Sequence, residues 1–216
     1  MIKKQTAFTM LELIMVIVVL GILAALALPK LDKDLTQEAA DNVLSNMRYT
    51  QHMALMADRH AFNDRRWQQS FWQISFQACS DGALFLSIGS DTSYNNVLEQ
   101  NETAIDPATG KTMYWDTTTP CAAIEDTTTS SPLIFLSAKY GVDQIKGGGD
   151  CIGFNNLGFD HLGRPHVNFR RNILPDSRSY IHNRCSFTFH LENGKSFTID
   201  ILPETGSMKI RDQNRS

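Results

Sequence analysis

The sequence predicts an α+β protein in which a long N-terminal α-helix, apolar in its first half and amphipathic in its second, packs on a mainly antiparallel β-sheet. Three observations carry that reading. From Phe8 to Leu28 only Thr9 and Glu12 are polar. Beyond Pro29, small and apolar residues recur at steps of three and four, the spacing of one helix face. From Trp72 onward the period changes to two, the spacing of a half-buried strand.

The apolar run is 21 residues long, and at 1.5 Å rise a helix of that length spans roughly 32 Å, enough for a bilayer core. Lys3 and Lys4 precede it, so the positive-inside tendency keeps the first residues in the cytoplasm and sends the rest outward. One carboxylate, Glu12, sits near its start. A charge at the centre of a bilayer costs roughly 2.5 to 3.5 kcal/mol on insertion scales and less near an interface, so Glu12 calls for a compensating partner. At the other end Pro29 lacks an N–H and its ring crowds the carbonyl of Ala25, which predicts a kink or loosening between Ala25 and Pro29; Gly21 is a second weak point.

The basic leader, the segment Ala7-Phe8-Thr9-Met10-Leu11-Glu12-Leu13 and the apolar helix through Gly21 to Pro29 occur together in order. This N-terminus resembles that of type IV prepilins and type II secretion pseudopilins. The resemblance implies cleavage by prepilin peptidase between Ala7 and Phe8, with Ala7 where the family most often has glycine, and N-methylation of the new Phe8 amine. Glu12 becomes the fifth residue of the mature chain, and its carboxylate faces the Phe8 amine of an adjoining subunit so that two costly charges compensate one another. The implied partners are prepilin peptidase, other pilin or pseudopilin subunits, an inner-membrane assembly platform and the membrane itself. The implied organisation is a cleaved leader over 1–7, a transmembrane and filament-core helix over 8–29, its amphipathic continuation over 30–60 and a periplasmic β-rich head over 61–216.

Two other readings of the N-terminus stay open. Ala25-Leu26-Ala27 offers a small-residue site for signal peptidase, and the run also suits a plain anchor. Either would make the protein a membrane-anchored or signal-cleaved periplasmic enzyme or binding protein with no recognisable site. Both leave Glu12 without a role.

In the second half of the helix the stripe runs through Leu28, Leu31, Leu35, Ala39, Val43, Met47, Thr50, Ala54 and Ala57, which predicts helix to about Asp58. Arg48 to His52 is read as a solvated face. Trp72, Ile74, Phe76 and Ala78 then alternate with Gln73, Ser75 and Gln77, Ser80-Asp81-Gly82 makes a turn, and Ala83 to Ile88 returns. Phe187, Phe189 and Leu191, the Asn193-Gly194 turn, and Phe197, Ile199 and Ile201 form the strongest hairpin signal. Further strands are expected at Leu133 to Ala138, Ile152 to Phe159 and Met208 to Ile210. A polar connection rich in Thr, Asn, Asp and Ser separates Gly89 from Pro132, a length that is usually functional or mobile. Leu157 to Pro165 and Glu204 to Ile210 resemble the turn and final strand of GspH/FimT-like minor pseudopilins.

Cys79, Cys121, Cys151 and Cys185 are at least 30 residues apart, with no CxxC and no metal-ligand spacing. Two disulfides suit an exported head, with buried free thiols as the alternative. Of the three pairings, Cys79 with Cys121 and Cys151 with Cys185 is favoured because the second pair begins two candidate neighbouring strands. Spacing alone leaves the other two open.

A net charge of −3 carries no basic surplus, so no nucleic-acid partner is expected. The six histidines form no HExxH, no GxSxG is present, and Asp81, Asp91, Asp106 and Asp150 lack EF-hand spacing. No catalytic residue, metal or cofactor is expected. Asn101-Glu102-Thr103, preceded by Glu99, is a glycosylation triplet with an acidic extension, a pattern that chance also supplies.

Overall fold

The computed structural model describes residues 10–27, 35–57, 61, 63–122, 129–170 and 177–211, and the chain divides into two units, Met1–Asp34 and Leu35–Ser216. In the first, the apolar run forms α1 (Met10–Ala27). The Ala7/Phe8 junction, Pro29, the continuity of the helix past Ala27 and its extension to Asp58 lie outside the described residues.

The second unit begins with α2 (Leu35–Met56), which buries Ala39, Ala40, Val43, Leu44, Met47, Thr50 and Ala54. This is the expected stripe from Ala39 onward. Each fully buried Val or Met side chain contributes about 1.5–3 kcal/mol, so Val43 and Met47 anchor the helix. The reading of Arg48 to His52 as a solvated face holds for Arg48 and His52, which are exposed, and is corrected for Tyr49 to Gln51, which are buried or half-buried. The Arg48 guanidinium donates to the Met208 carbonyl, the Tyr49 hydroxyl to Ile105, and Gln51 Nε2 to both Gly163 and Thr205 at 2.9 Å. Long polar side chains on this face reach loops that a local pattern does not reveal.

The strands form two four-stranded antiparallel sheets rather than one. The first, in the order β2-β1-β4-β5, comprises β1 (Trp72–Ala78), β2 (Leu84–Ser90), β4 (Asn156–Phe159) and β5 (Pro165–His166). The second, β3-β6-β7-β8, comprises β3 (Val142–Gly149), β6 (Cys185–Leu191), β7 (Ser196–Ile201) and β8 (Met208–Ile210). Both predicted hairpins form, and in the second the Gly194 N–H donates to Leu191 at 2.9 Å. The sheets meet where the Phe76 ring of β1 lies 5.4 Å from Phe187 and 5.3 Å from Phe189 of β6. α2 packs on β1 and β4 of one sheet and on β7 and β8 of the other, closing a shared core.

Three strand assignments are corrected. Leu133 to Ala138 is not a strand: Pro132–Ile134 forms a 3-10 turn capped by the Ser131 hydroxyl, followed by α3 (Leu136–Tyr140), which ends at Gly141 with φ +71°. The Ser-Pro start and glycine stop outweigh a short apolar run. The strand expected from Ile152 begins only at Asn156, because residues 151–153 turn. β3 was not expected, since Val142-Asp-Gln-Ile-Lys-Gly-Gly-Gly has three glycines and little alternation. It is an edge strand, and its last glycine is required: Gly149 has φ +62°, and a Cβ there would lie 1.8 Å from the Arg184 carbonyl oxygen.

Candidate functional site

Residues Met10 to Leu23 of α1 are exposed on every side of the helix; Leu11 is 74% exposed and Val16 47%. A helix apolar all round is one that is buried by something other than its own turn of chain, a large core or a lipid phase. Glu12 stands in its first described turn as the sole charged residue of α1. Gly21 lies inside the uninterrupted helix, and a Cβ added there would meet nothing within 4 Å. Among the described residues no helix is long and apolar enough to cross a membrane. The 18 residues of α1 rise about 27 Å, against roughly 30 Å of hydrocarbon, and the flanking Phe8, Thr9 and Leu28 lie outside the described residues.

In the head, Cys79 is bonded to Cys121 and Cys151 to Cys185. The physical reason for the second pair differs from the one the sequence suggested. Cys151 does not begin a strand; it follows the end of β3, where Gly149 pairs with Cys185 at the start of β6. The loops closed span 42 and 34 residues, for which cross-linking contributes about 2–4 kcal/mol each. The sulfurs of Cys79 and Cys121 and the Asp81 carboxylate lie within 4.8 Å of one another, but thiols joined in a disulfide are spent as metal ligands.

The long connection after β2 is built around three buried acids. The Asp91 carboxylate accepts from the Asn95 and Asn96 N–H groups. Glu102 accepts from Thr92 N, Thr92 Oγ1, Ser93 N and Glu99 N. Asp106 accepts from Ala108 N and from the Thr109 and Ser131 hydroxyls. Burial alone would raise the Glu102 and Asp106 carboxyls, but these hydrogen bonds outweigh it and hold both below the ordinary carboxylate range. The calcium candidates are therefore taken up by other donors: Asp91 and Asp106 by groups of their own loops, Asp81 by Ala83 N and Ala122 N, and Asp150 by His182 N and Asn183 N. Asn101 is exposed on the 3-10 turn Gln100–Glu102, whose flanking Glu99 and Glu102 form a capping box.

Sequence reasoning missed a network in the β4–β5 turn. Asp160, 1% exposed, accepts from the Leu162 and Arg164 N–H groups at 2.9 Å and pairs with the Arg164 guanidinium at 2.7 Å. His166 Nε2 lies 3.5 Å from Asp160, and His166 Nδ1 lies 2.9 Å from Ser179 Oγ. Burial would raise the Asp160 carboxyl, yet the His166 and Arg164 hydrogen bonds drive it far below the usual range. Serine, histidine and aspartate in that order are the groups of a hydrolytic triad. Here Ser179 is 2% exposed and the Phe71 ring packs 4.7 Å from the imidazole, so the hydroxyl is closed to a substrate and the network shapes the turn that Gln51 grips. Positions 160, 166 and 179 follow no known motif spacing, so nothing in the sequence signalled it.

An apolar helix with a single acid near its start thus precedes a disulfide-fastened α+β head. Residues 2–28 match the family model of the prokaryotic N-terminal methylation motif. The chain therefore carries the N-terminus of a type IV prepilin or pseudopilin, which marks a structural pilin-type subunit rather than an enzyme and implies processing by prepilin peptidase and assembly with other pilin subunits. No curated protein and no solved structure matches the chain.

Proposed function

We propose that the protein is a minor pilin or pseudopilin, of the GspH/FimT-like kind, of a type II secretion or type IV pilus machine. Prepilin peptidase cuts between Ala7 and Phe8 and methylates the Phe8 amine. The mature chain waits in the inner membrane with its head in the periplasm, then enters a filament from an assembly platform through α1. The observation that carries this reading is the methylation motif at residues 2–28, whose described part is the helix Met10–Ala27 with an exposed surface from Met10 to Leu23 that is apolar except for Glu12.

The physics of the transfer supports it. Moving α1 from lipid to a bundle of like helices exchanges one apolar surrounding for another, so little hydrophobic free energy selects the register. A cationic Phe8 amine meeting the Glu12 carboxylate of a neighbour supplies that selection, because either charge left alone in a low-dielectric core is costly. Methylation leaves the amine charged. The head then presents its loops to other subunits, cargo or a surface.

Mass spectrometry of the native N-terminus tests the proposal. N-methyl-Phe8 is the expected result. A chain starting at Leu28 would show signal-peptidase processing, and an intact Met1 in cells with active prepilin peptidase would show a plain anchor; either overturns it.

A further inference from the structure

The alternation of β1 places Gln73, Ser75 and Gln77 on the face away from Ile74 and Phe76, a face that period two assigns to solvent. It is buried. Gln73 and Ser75 are 0% exposed, Ser87 opposite Ser75 is 1%, and Asn156, paired with Ser75 from the other side, is 5%. Surrounding loops press on this face closely enough that a Cβ at Gly158 would lie 2.4 Å from the Phe169 ring. Yet among the described residues Gln73 Nε2, Gln73 Oε1, Ser75 Oγ and Asn156 Nδ2 have no hydrogen-bond partner. Each such group costs about 1–3 kcal/mol, so three adjacent residues retain a penalty that apolar side chains of similar shape would avoid.

Asn156 lies on the wall of an open groove of about 350 Å³ shared with Asn96, Asn155, Asn168 and Arg170. Across Asn96, Asn155 and Arg170 this continues into a second space of about 400 Å³, which reaches Gln77 and Ser87 of the same polar sheet face and is flanked by Tyr114 and Trp115. Both volumes fall in the range of small-molecule sites, about 300–1,000 Å³. Arg170 and Asp116 are the charged residues of the lining, and the Arg170 guanidinium donates to the Asn96 carbonyl. Asn96 and Asn168 hold left-handed backbone, φ +66° and +55°, a conformation that clusters at sites shaped for a ligand.

We infer that this groove binds a neutral saccharide. Each side-chain amide offers a donor and an acceptor side by side, matching the paired donor and acceptor character of neighbouring sugar hydroxyls. A lining of amides suits neither an apolar ligand nor a multiply charged one, while Tyr114 and Trp115 offer aromatic surface to the C–H face of a sugar ring. The orphaned Asn156 amide nitrogen is then the preorganised end of the site, satisfied when a hydroxyl or the water it orders arrives.

The test uses the full processed chain in a zwitterionic detergent, since alkyl glycosides present sugars themselves. Titration calorimetry with maltose, lactose and N,N′-diacetylchitobiose is expected to give saturable binding to at least one. Asn156→Leu and Asn96→Gly each weaken it at least tenfold, and Asn193→Ala in the distant β6–β7 turn leaves it unchanged. Asn156→Leu also melts at or above the parent temperature, because it removes an unpartnered amide. Asn96→Gly keeps the inference testable if Asn156→Leu misfolds, since glycine suits φ +66°. No saturable binding to any of the three sugars, or binding that both groove variants retain, overturns the inference. A marked fall in melting temperature for Asn156→Leu does so too, by showing that the amide serves the fold.

Discussion

Two helices of similar length illustrate opposite solutions to the burial of apolar surface. In α1, side chains from Met10 to Leu23 are exposed all round, whereas α2 buries a stripe that includes Ala39, Val43 and Met47 completely and leaves only Leu35, Leu55 and Met56 of its large apolar residues exposed, at its two ends. The second helix finds its partner within the chain, in two sheets that it covers together. The difference teaches where each helix's stability comes from, since tertiary contacts rather than propensity stabilise most helices. α2 is stabilised by folding; on the proposed function α1 is stabilised by lipid or by other copies of a like helix.

Substitutions separate the two. The largest effect is expected from Glu12→Ala: filament incorporation, measured by recovery of the protein in sheared filaments, falls at least tenfold while the melting temperature of the head is unchanged. Normal incorporation would break the comparison, because α1 would then need no charge to choose its register. Next comes Met47→Ala, which leaves a cavity beneath α2 and lowers head stability by about 2–5 kcal/mol in denaturant titration, with membrane insertion unaffected. An unchanged denaturation midpoint would show that α2 is no more dependent on the head than α1.

Acid provides a smaller and sharper contrast. Glu102 and Asp106 have folded-state values held below their ordinary 4.5 and 3.8 by the donors of the long connection. A depressed carboxyl stabilises the fold fully above its unfolded value and loses that contribution as pH falls through its folded value. The head therefore holds its stability down to about pH 4.5 and loses it progressively below, followed by Trp115 fluorescence in the same segment. A profile flat below pH 4 would remove these acids from the account. The smallest effect is Gln51→Ala, which frees α2 from the Gly163 and Thr205 carbonyls at a cost of about 0.5–1.5 kcal/mol per hydrogen bond, read as a modest drop in melting temperature.

Local patterns carried far where one force dominated. The strand from Trp72 to Ala78 and the hairpin at Asn193-Gly194 were legible because alternation and turn chemistry agree there. They failed where a short apolar run met stronger punctuation, as at Ser131-Pro132 and Gly141, or where a strand drew its place from backbone pairing, as the glycine-rich β3 does along β6. The connection after Gly89 was expected to be functional or mobile. Its Glu102 instead takes the Thr92 and Ser93 N–H groups and its Asp106 the Ser131 hydroxyl 25 residues on, pairings that alternation and turn preference do not reveal.

The amino-acid sequence by itself determined the N-terminal motif, the helical stretches that it reads as one long helix, and the main hairpins, because helix period, hydrophobic length and turn preference are properties of neighbouring residues. Only the tertiary structure decided that the strands split into two sheets, that Asp160 takes up Arg164 and His166, and that the polar face of β1 is shut away beside an amide-lined groove. The physical reason is distance along the chain. Desolvation and hydrogen bonding act between atoms that folding brings together, and the alternation of Gln73, Ser75 and Gln77 reads the same whether water or another loop lies above them.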